Sequence, residues 1–455
     1  MTKWAFNAAF ERVCLSRYLR EHCPSHFLSY GKQRDTVGKY LDPLGRLKHL
    51  TGLLNPKSPC QMKDWLSANG TPAESLTKKE VARLLSSSIG AVREALTLYG
   101  QAQKSSFAKY GAVCSDGRAR GMFRFYGVAR SGRWAGRHIQ LQNLPQNHLE
   151  DLLLARSLVM EGDYEKMDFL YGSVHDTLSK LIRTAFVAKK GYTFIVSDFS
   201  SIEARVLAYM AREKLRIDSF AANKDIYAQS AQRMFSKPVV KGGINSDLRQ
   251  KGKIAELALG YGGGEGALMA MGALDMGLTA EELPNLVNIW RHANPHIVSY
   301  WWQVDRAVRE AIEQLRVTRV GSLSFYMKKG TLFIALPSGR RLAYPGAALT
   351  GSTYGRTAIT YMGLDTKRKC SRIESYGPKF VENIIQAISR DILAYAMHNL
   401  REYFICGHVH DEVIVECREG TQVEEITDIM ERTPDWMPGL LLRADGYETA
   451  VYRKM

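Results

Sequence analysis

The sequence predicts an α+β fold in which an antiparallel sheet is split along the chain by a long, mostly helical insert. Three observations carry that reading. The apolar run Thr193-Phe-Ile-Val-Ser197 has the length and composition of a buried strand and stops at Asp198. The stretch Phe404 to Glu416 reads as a hairpin: Val413 and Val415 alternate with Ile414 and Glu416, and Asp411 falls at or near the tip. Between the two, residues from Ser201 to about Val317 keep the three- and four-residue apolar spacing of helices.

In chain order, a basic helical pattern runs to Pro24, and residues 25 to 43 are polar and read as a connector. From Leu44 to Gly111 the pattern is helical, clearest in Leu76 to Leu85 and Ala91 to Leu96. Turn signals stand at Asn55-Pro56-Lys57-Ser58-Pro59 and Asn69-Gly70. Gly121 to Pro145 mixes aromatic and β-branched residues with arginines, which predicts short strands and a basic loop. A helix is expected over Trp290 to Ile312, short strands over Val320 to Tyr344, and a long amphipathic helix over Phe380 to Glu402.

At 455 residues the chain exceeds one ordinary core, so two to four subdomains are expected. With 45% hydrophobic and 24% charged residues it is a folded globular chain. No apolar run approaches the ~18–20 residues of a membrane span, and the N-terminus lacks a secretory pattern. Seven cysteines without CxxC spacing read as free thiols in a reducing compartment, which predicts a cytoplasmic protein without a membrane partner. The formal charge of +16 favours polyanionic partners such as DNA or RNA, with strong salt dependence.

Asp198 and Asp411 are far apart in the chain, yet each closes an apolar strand. Carboxylates on neighbouring strand ends can hold two Mg²⁺ ions about 3.5–4 Å apart, the arrangement of in-line phosphoryl transfer. Taken alone, Asp198 reads more readily as a turn or cap residue, and Glu203 more readily as a cap than as a ligand. Ser200-x-x-Glu203 has the form of a capping box, which predicts a helix directly after the strand. Further on, Arg249, Lys253, Leu257 and Tyr261 recur every four residues, a drift of only about 40° per step on a helix. That face offers two cations for triphosphate oxygens, and Lys253 is also suited to protonate a departing pyrophosphate. The glycines after Tyr261 are not a Walker loop, since no Gly-Lys-Ser/Thr follows. Cys406, His408 and His410 share one strand face by alternation, but three ligands without a fourth are weak support for zinc.

These segments closely resemble motifs A, B and C of family A DNA polymerases. Asp198-Phe-Ser-Ser-Ile-Glu-Ala-Arg205 is similar to the family's Asp-Tyr-Ser-Gln-Ile-Glu-Leu-Arg. Arg249, Lys253, Leu257 and Tyr261-Gly262 follow Arg-x3-Lys-x3-Phe/Tyr-x3-Tyr-Gly, and His410-Asp411-Glu412 matches His-Asp-Glu. Ser131-Gly-Arg133 with Gln140-Leu-Gln142-Asn143-Leu-Pro145, Ile182-Arg183-Thr-Ala-Phe186 and Glu382-Asn-Ile-Ile-Gln386 extend the likeness over roughly residues 50 to 455, closest to phage and prophage enzymes.

The resemblance implies a right-hand polymerase that adds dNTPs to the 3′-hydroxyl of a DNA primer-template, using two Mg²⁺ ions for which Mn²⁺ could substitute. Asp198, Asp411 and the Phe199 carbonyl would hold the metals. Arg249 and Lys253 would grip the triphosphate, with Leu257, Tyr261 and Tyr227 around the nucleotide. Glu203 would be the steric gate against a ribose 2′-hydroxyl, braced by Tyr261. Arg133, Gln142, Asn143, Arg183, Gln386, His410 and Glu412 would serve the DNA, with Arg133 and Gln386 probing the minor-groove edge and Glu412 supporting the primer terminus and the metal site. The implied layout is a thumb at 44–118, a palm at 119–208 and 351–455, and fingers at 209–350. A monomer with replication accessory proteins is expected.

Two departures stand out. Leu257 replaces the family's usual aromatic ring, and Tyr227 replaces a common histidine. Phe6-Asn-Ala-Ala-Phe-Glu11 resembles the second motif of a 3′–5′ exonuclease, but no first motif precedes it, so residues 1–43 are expected to be a remnant and proofreading absent. Two other readings are an RNA-using polymerase and a non-catalytic DNA-binding protein derived from a polymerase.

Overall fold

The computed structural model of the chain describes residues 8–9, 42–103, 109, 114, 118–147, 149–351, 357–365 and 369–453. The exonuclease-like residues Phe6 to Glu11 lie outside them, apart from the backbone of the short strand β1 (Ala8–Ala9), which pairs with β2 (Arg118–Ala119).

Four helices come first: α1 (Pro43–Thr51), α2 (Pro59–Ala68), α3 (Lys78–Ser87) and α4 (Gly90–Ala102). The Asp42 carboxylate accepts from Gly45 N at 2.8 Å and Pro43 opens α1, both of which favour a helix start. The four bury a core of their own around Leu47, Met62, Leu66, Leu96 and Tyr99. The short strands β3 (Phe123–Arg124) and β4 (Ala135–Gly136) follow, then α5 (Leu152–Glu161), α6 (Tyr164–Tyr171) and α7 (Val174–Leu181).

β5 (Tyr192–Phe199) opens a second region. Seven helices come after it: α8 (Ile202–Ala211), α9 (Lys214–Ala221), α10 (Ile226–Phe235), α11 (Ser246–Leu259), α12 (Glu265–Ala270), α13 (Leu283–Ala293) and α14 (Pro295–Gln314). The run expected as one helix across Trp290 to Ile312 is two, because Pro295 has no N–H to continue the ladder. β6 (Thr318–Val320), β7 (Leu323–Lys328), β8 (Thr331–Ala335) and β9 (Arg341–Pro345) form an antiparallel sheet. A smaller one holds β10 (Ala348–Gly351), β11 (Thr357–Leu364) and β12 (Cys370–Ser375).

The long helix α15 (Gly377–Asn399) leads into β13 (Phe404–Val409), β14 (Glu412–Arg418), α16 (Val423–Met430) and β15 (Ala444–Thr449). Gly377 lets α15 approach α14 closely, since a Cβ there would lie 2.2 Å from the Trp301 carbonyl.

The central sheet has the order β13-β14-β5-β15, antiparallel throughout, so β5 sits between two strands from the other end of the chain. One face, with Phe194, Val196 and Ile414, packs into a core shared with α5–α7. The other, with Ile195, Val413 and Val415, packs on Phe380, Ile384 and Ile388 of α15 and Ile426 of α16. Covered on both faces, these strands read as continuous apolar runs. Among the described residues no helix is long and apolar enough to cross a membrane.

Candidate active site

β14 pairs with β5 so that Glu412 lies opposite Asp198, and the two-residue turn His410-Asp411 joins β13 to β14 directly above that pair. His410 adopts φ +55, a left-handed conformation that is strained for a side-chain-bearing residue. The Asp411 carbonyl accepts from Phe199 N at 3.2 Å, which ties the turn to the end of β5. Asp198 and Asp411 are thereby brought together and share a hydrogen bond. Burial, and then the Asp198 charge, push the Asp411 carboxyl up to about 7.

Ser201 turns the chain from β5 into α8 with φ +53. The capping box expected from Ser200-x-x-Glu203 does not form. Glu203 instead spends its two oxygens on distant partners, accepting from Tyr261 Oη at 3.0 Å and ion-pairing with Arg133. The Arg133 pair sets a full positive charge against the carboxylate, which a neutral backbone amide cannot. Burial, then the charge of Glu203, holds the Tyr261 phenol well above its ordinary pKa.

α11 carries Arg249, Lys253 and Leu257 on one face, with Tyr261 just past its end. Gly252 allows α11 to lie against α10, since a Cβ would fall 2.1 Å from the Tyr227 carbonyl. Arg249 Nε donates to Asp225 Oδ2 at 2.7 Å, and its guanidinium lies 5.3 Å from the centre of the Tyr227 ring. Burial raises the Tyr227 phenol pKa, against a hydrogen bond with Ser201. A cavity of about 160 Å³ opens between these groups, lined by Glu203, Tyr227, Leu257, Tyr261 and Asp411, with Leu257 45% exposed.

Other expected site residues lie elsewhere. Arg183, expected at the DNA, is buried: it donates to the carbonyls of Leu144 and Pro145 at 2.8 and 2.9 Å and to Tyr452 Oη at 2.9 Å. That is a correction, because a guanidinium spent on protein acceptors in the core has no face left for a phosphate. Glu412, expected to support both the primer terminus and the metal site, is buried and accepts from Tyr452 Oη at 2.7 Å, so it stands beneath the carboxylate pair, a place that suits the metal site and not a DNA surface. Gln142 Oε1 is buried beside Gly136, whereas Asn143 is exposed and donates to Gln140 Oε1 at 3.1 Å. Gln386 on α15 is half-buried and donates to Glu382 Oε1 at 3.3 Å, and His410 is exposed.

The shared face of Cys406, His408 and His410 is broken by a bulge between Ile405 and Gly407. Cys406 is buried in the core, and burial drives the His408 imidazole down to about 3. Among the described residues no group of three or more His, Cys, Asp or Glu is placed to hold a metal.

Two features escaped the sequence reading. Asp225 caps α10, accepting from Tyr227 N and Ala228 N at 2.9 and 3.1 Å, while also holding Arg249. An Asp directly before a helical run is a readable cap signal, but its grip on Arg249 is not. The buried Arg216–Glu256 ion pair, with Glu256 also accepting from Ser230 Oγ and Trp290 Nε1, joins α9, α10, α11 and α13 behind the cavity. No local pattern marks it.

A sequence model of DNA polymerase family A matches residues 45–438. The DNA polymerase of Bacillus phage SP02 is 45% identical over 421 residues, covering 90% of this chain and 65% of the relative. DNA polymerase I of Lactococcus lactis subsp. lactis is 30% identical over 256 residues, covering 54% of this chain and 24% of that protein. The chain therefore spans just under two thirds of the phage relative's length. The POL domain of Pol1 from M. smegmatis, solved in complex with DNA primer-template and dNTP, aligns with a TM-score of 0.59 at 20% identity. The alignment covers 98% of this chain and 67% of that one. At that identity the likeness speaks for the fold. The match over most of the length, with the ordered motifs at one cleft, means that the chain belongs to DNA polymerase family A.

Proposed function

We propose that this chain is a template-directed DNA polymerase that adds deoxynucleotides to a primer 3′-hydroxyl and releases pyrophosphate. The observation that carries it is the meeting of Asp198 and Asp411 at paired strand ends, where Asp411 lines the cavity edged by α11. On this reading α1–α4 are the thumb, the central sheet the palm, and the insert after α8 the fingers.

The donor set suits divalent metal. Two carboxylates forced together hold a proton near neutral pH, and a hard cation between them removes that conflict. Asp198, Asp411 and the Phe199 carbonyl would hold two Mg²⁺ ions, with substrate oxygens completing an open coordination sphere. When bound, the ions activate the primer hydroxyl and neutralise charge on the leaving pyrophosphate.

The remaining roles belong to the chain itself. Arg249 and Lys253 grip the triphosphate, Arg249 through its Nη groups while its Nε stays on Asp225. Lys253 delivers a proton to the departing pyrophosphate. Glu203, held between Tyr261 and Arg133, excludes a 2′-hydroxyl. Leu257 gives the nucleotide an apolar contact without an aromatic face. Arg133 and Gln386 probe the minor-groove edge of the new pair, where correct pairs share acceptor positions. His410 serves the primer backbone, and Glu412 supports the pair from below.

Primer extension with dNTPs, with and without Mg²⁺, tests the proposal on the wild type, Asp198→Asn and Asp411→Asn. Mg²⁺-dependent incorporation by the wild type, lost in both variants, is expected. Incorporation retained by both variants would overturn the metal assignment. Wild-type binding to primer-template without any incorporation would overturn the activity.

A further inference from the structure

Behind Arg133 lies a buried group of charges and rings that the reaction above does not use. Asp391 on α15 is 6% exposed and accepts from three donors. Two belong to the turn between β8 and β9: Arg340 Nε at 2.8 Å and Ser338 Oγ at 2.6 Å. The third is Arg390 Nη1 at 3.1 Å. Arg340 also donates to the Ala387 carbonyl at 2.9 Å, which fixes that turn to α15.

Two guanidiniums against one carboxylate leave a positive charge short of an ionic partner. Aromatic faces supply the remainder. Arg390 Cζ lies 4.2 Å from the centre of the Trp134 ring and 5.2 Å from that of Phe125. His408 meets Trp134 edge-on at 4.8 Å and stacks on Phe123 at 4.4 Å. Trp134 is therefore held between a cation from α15 and a ring from β13, the strand that leads to Asp411.

The residue before Trp134 is Arg133, whose guanidinium pairs with Glu203. On the other side, Gly132 adopts φ +73, and a Cβ there would lie 2.4 Å from Arg340 Nη1 and 2.7 Å from the Tyr126 ring. The segment 132–134 is thus confined by Arg340 at one end and Arg390 at the other. Gln386, the other minor-groove probe, lies one turn before Arg390 on α15.

We propose that Arg390, oriented by Asp391, is a positioning residue for Arg133. By clamping Trp134 against His408, it sets where the Arg133 guanidinium points, on Glu203 and at the base pair being formed. The inference rests on the reading of Arg133 and Glu203 given above. The ordinary alternative is a cluster that only fills space, which would affect stability without any special relation to Arg133.

A double-mutant cycle separates the two. Mg²⁺-dependent extension of matched and mismatched primer ends is measured for the full chain, Arg133→Ala, Arg390→Met and the double variant. Arg390→Met should lower discrimination between the two ends by about three- to tenfold, in the same direction as Arg133→Ala. It should leave primer-template affinity unchanged. The double variant should be no worse than Arg133→Ala alone, and Arg390→Lys, which keeps a cation over the ring, should recover most of the loss.

Additive losses, or unchanged discrimination in a folded Arg390→Met, would overturn the inference. If Arg390→Met does not fold, Trp134→Leu removes the ring face and carries the same comparison. A wild type that incorporates nothing would overturn the reading of the site and this inference with it. Wild-type incorporation with additive losses overturns the inference alone.

Discussion

Removing one charge from the Asp198–Asp411 pair should stabilise the metal-free protein above neutral pH, even as it abolishes nucleotide addition. Burial and the neighbouring Asp198 push the Asp411 carboxyl up to about 7, whereas an unfolded chain titrates it near its ordinary value of about 3.9. Between those limits the native state holds more protons than the unfolded one. The stability tied to that proton is complete below about pH 4 and is lost as pH rises through about 7. A shift of about three units corresponds at most to ~4 kcal/mol. The pair shares its proton and Asp411 stays half-buried at the cleft edge, where water screens it, so ~1–3 kcal/mol is expected. Asp411→Asn cannot ionise. Its stability relative to wild type in chelator should therefore rise by that amount between about pH 5 and about pH 8, read by urea or thermal denaturation. Mg²⁺ at about ten times its Kd should then return ~1.4 kcal/mol to the wild type and little to the variant. An Asn variant with the same advantage at both pH values, or equal stabilisation of both proteins by Mg²⁺, would refute the reasoning.

The other residues give separable outcomes. Glu203→Ala should lower the dNTP-to-rNTP ratio of kcat/KM by roughly ten- to a hundredfold, and an unchanged ratio would remove the gate role. Lys253→Ala should cut turnover by roughly a hundredfold and weaken dNTP binding while sparing primer-template affinity. If DNA affinity fell instead, α11 would be a duplex contact. Arg183→Met should cost ~3 kcal/mol or more, since it strands the Leu144 and Pro145 carbonyls and leaves Tyr452 Oη with Glu412 as its remaining partner. A variant as stable as wild type but weaker on DNA would return Arg183 to the nucleic-acid surface.

What was legible follows from how far each signal depends on distant neighbours. The strand before Asp198, the hairpin around Asp411 and the helical insert follow from apolar periodicity, a local property, and the α+β class follows from their order. The register is not local: nothing in Thr193 to Ser197 says that β5 will lie between β14 and β15 with Asp198 opposite Glu412. Local motifs failed where a distant partner was stronger. The Ser200–Glu203 capping box lost its carboxylate to Arg133 and Tyr261, and the alternation of Cys406, His408 and His410 was cut by a bulge. Arg183 and Glu412 show the complementary limit. A motif can place a residue beside a site, but only burial decides whether its charge faces the cleft or the core, and both point to Tyr452.

The two departures from the family pattern make sense together. A histidine at position 227 could offer charge to a triphosphate, which tyrosine cannot. Tyr227 instead lies under the Arg249 guanidinium, its hydroxyl bonded to Ser201, while Asp225 two residues earlier holds Arg249 Nε. The short segment at the start of α10 therefore grips Arg249 from an edge and a face. A guanidinium fixed in this way loses little side-chain entropy on meeting phosphate, so orientation can offset the missing imidazolium charge. Leu257 lies one turn beyond Lys253 on the same face and is 45% exposed to the cavity. On the proposed reading it would leave room where an aromatic ring presses on the nucleotide, so sugar selection would fall more heavily on Glu203. Introducing Leu257→Phe into Glu203→Ala should recover part of the lost dNTP preference, by about two- to fivefold in the kcat/KM ratio. No recovery would mean that Glu203 alone sets the discrimination and that the leucine is silent in it.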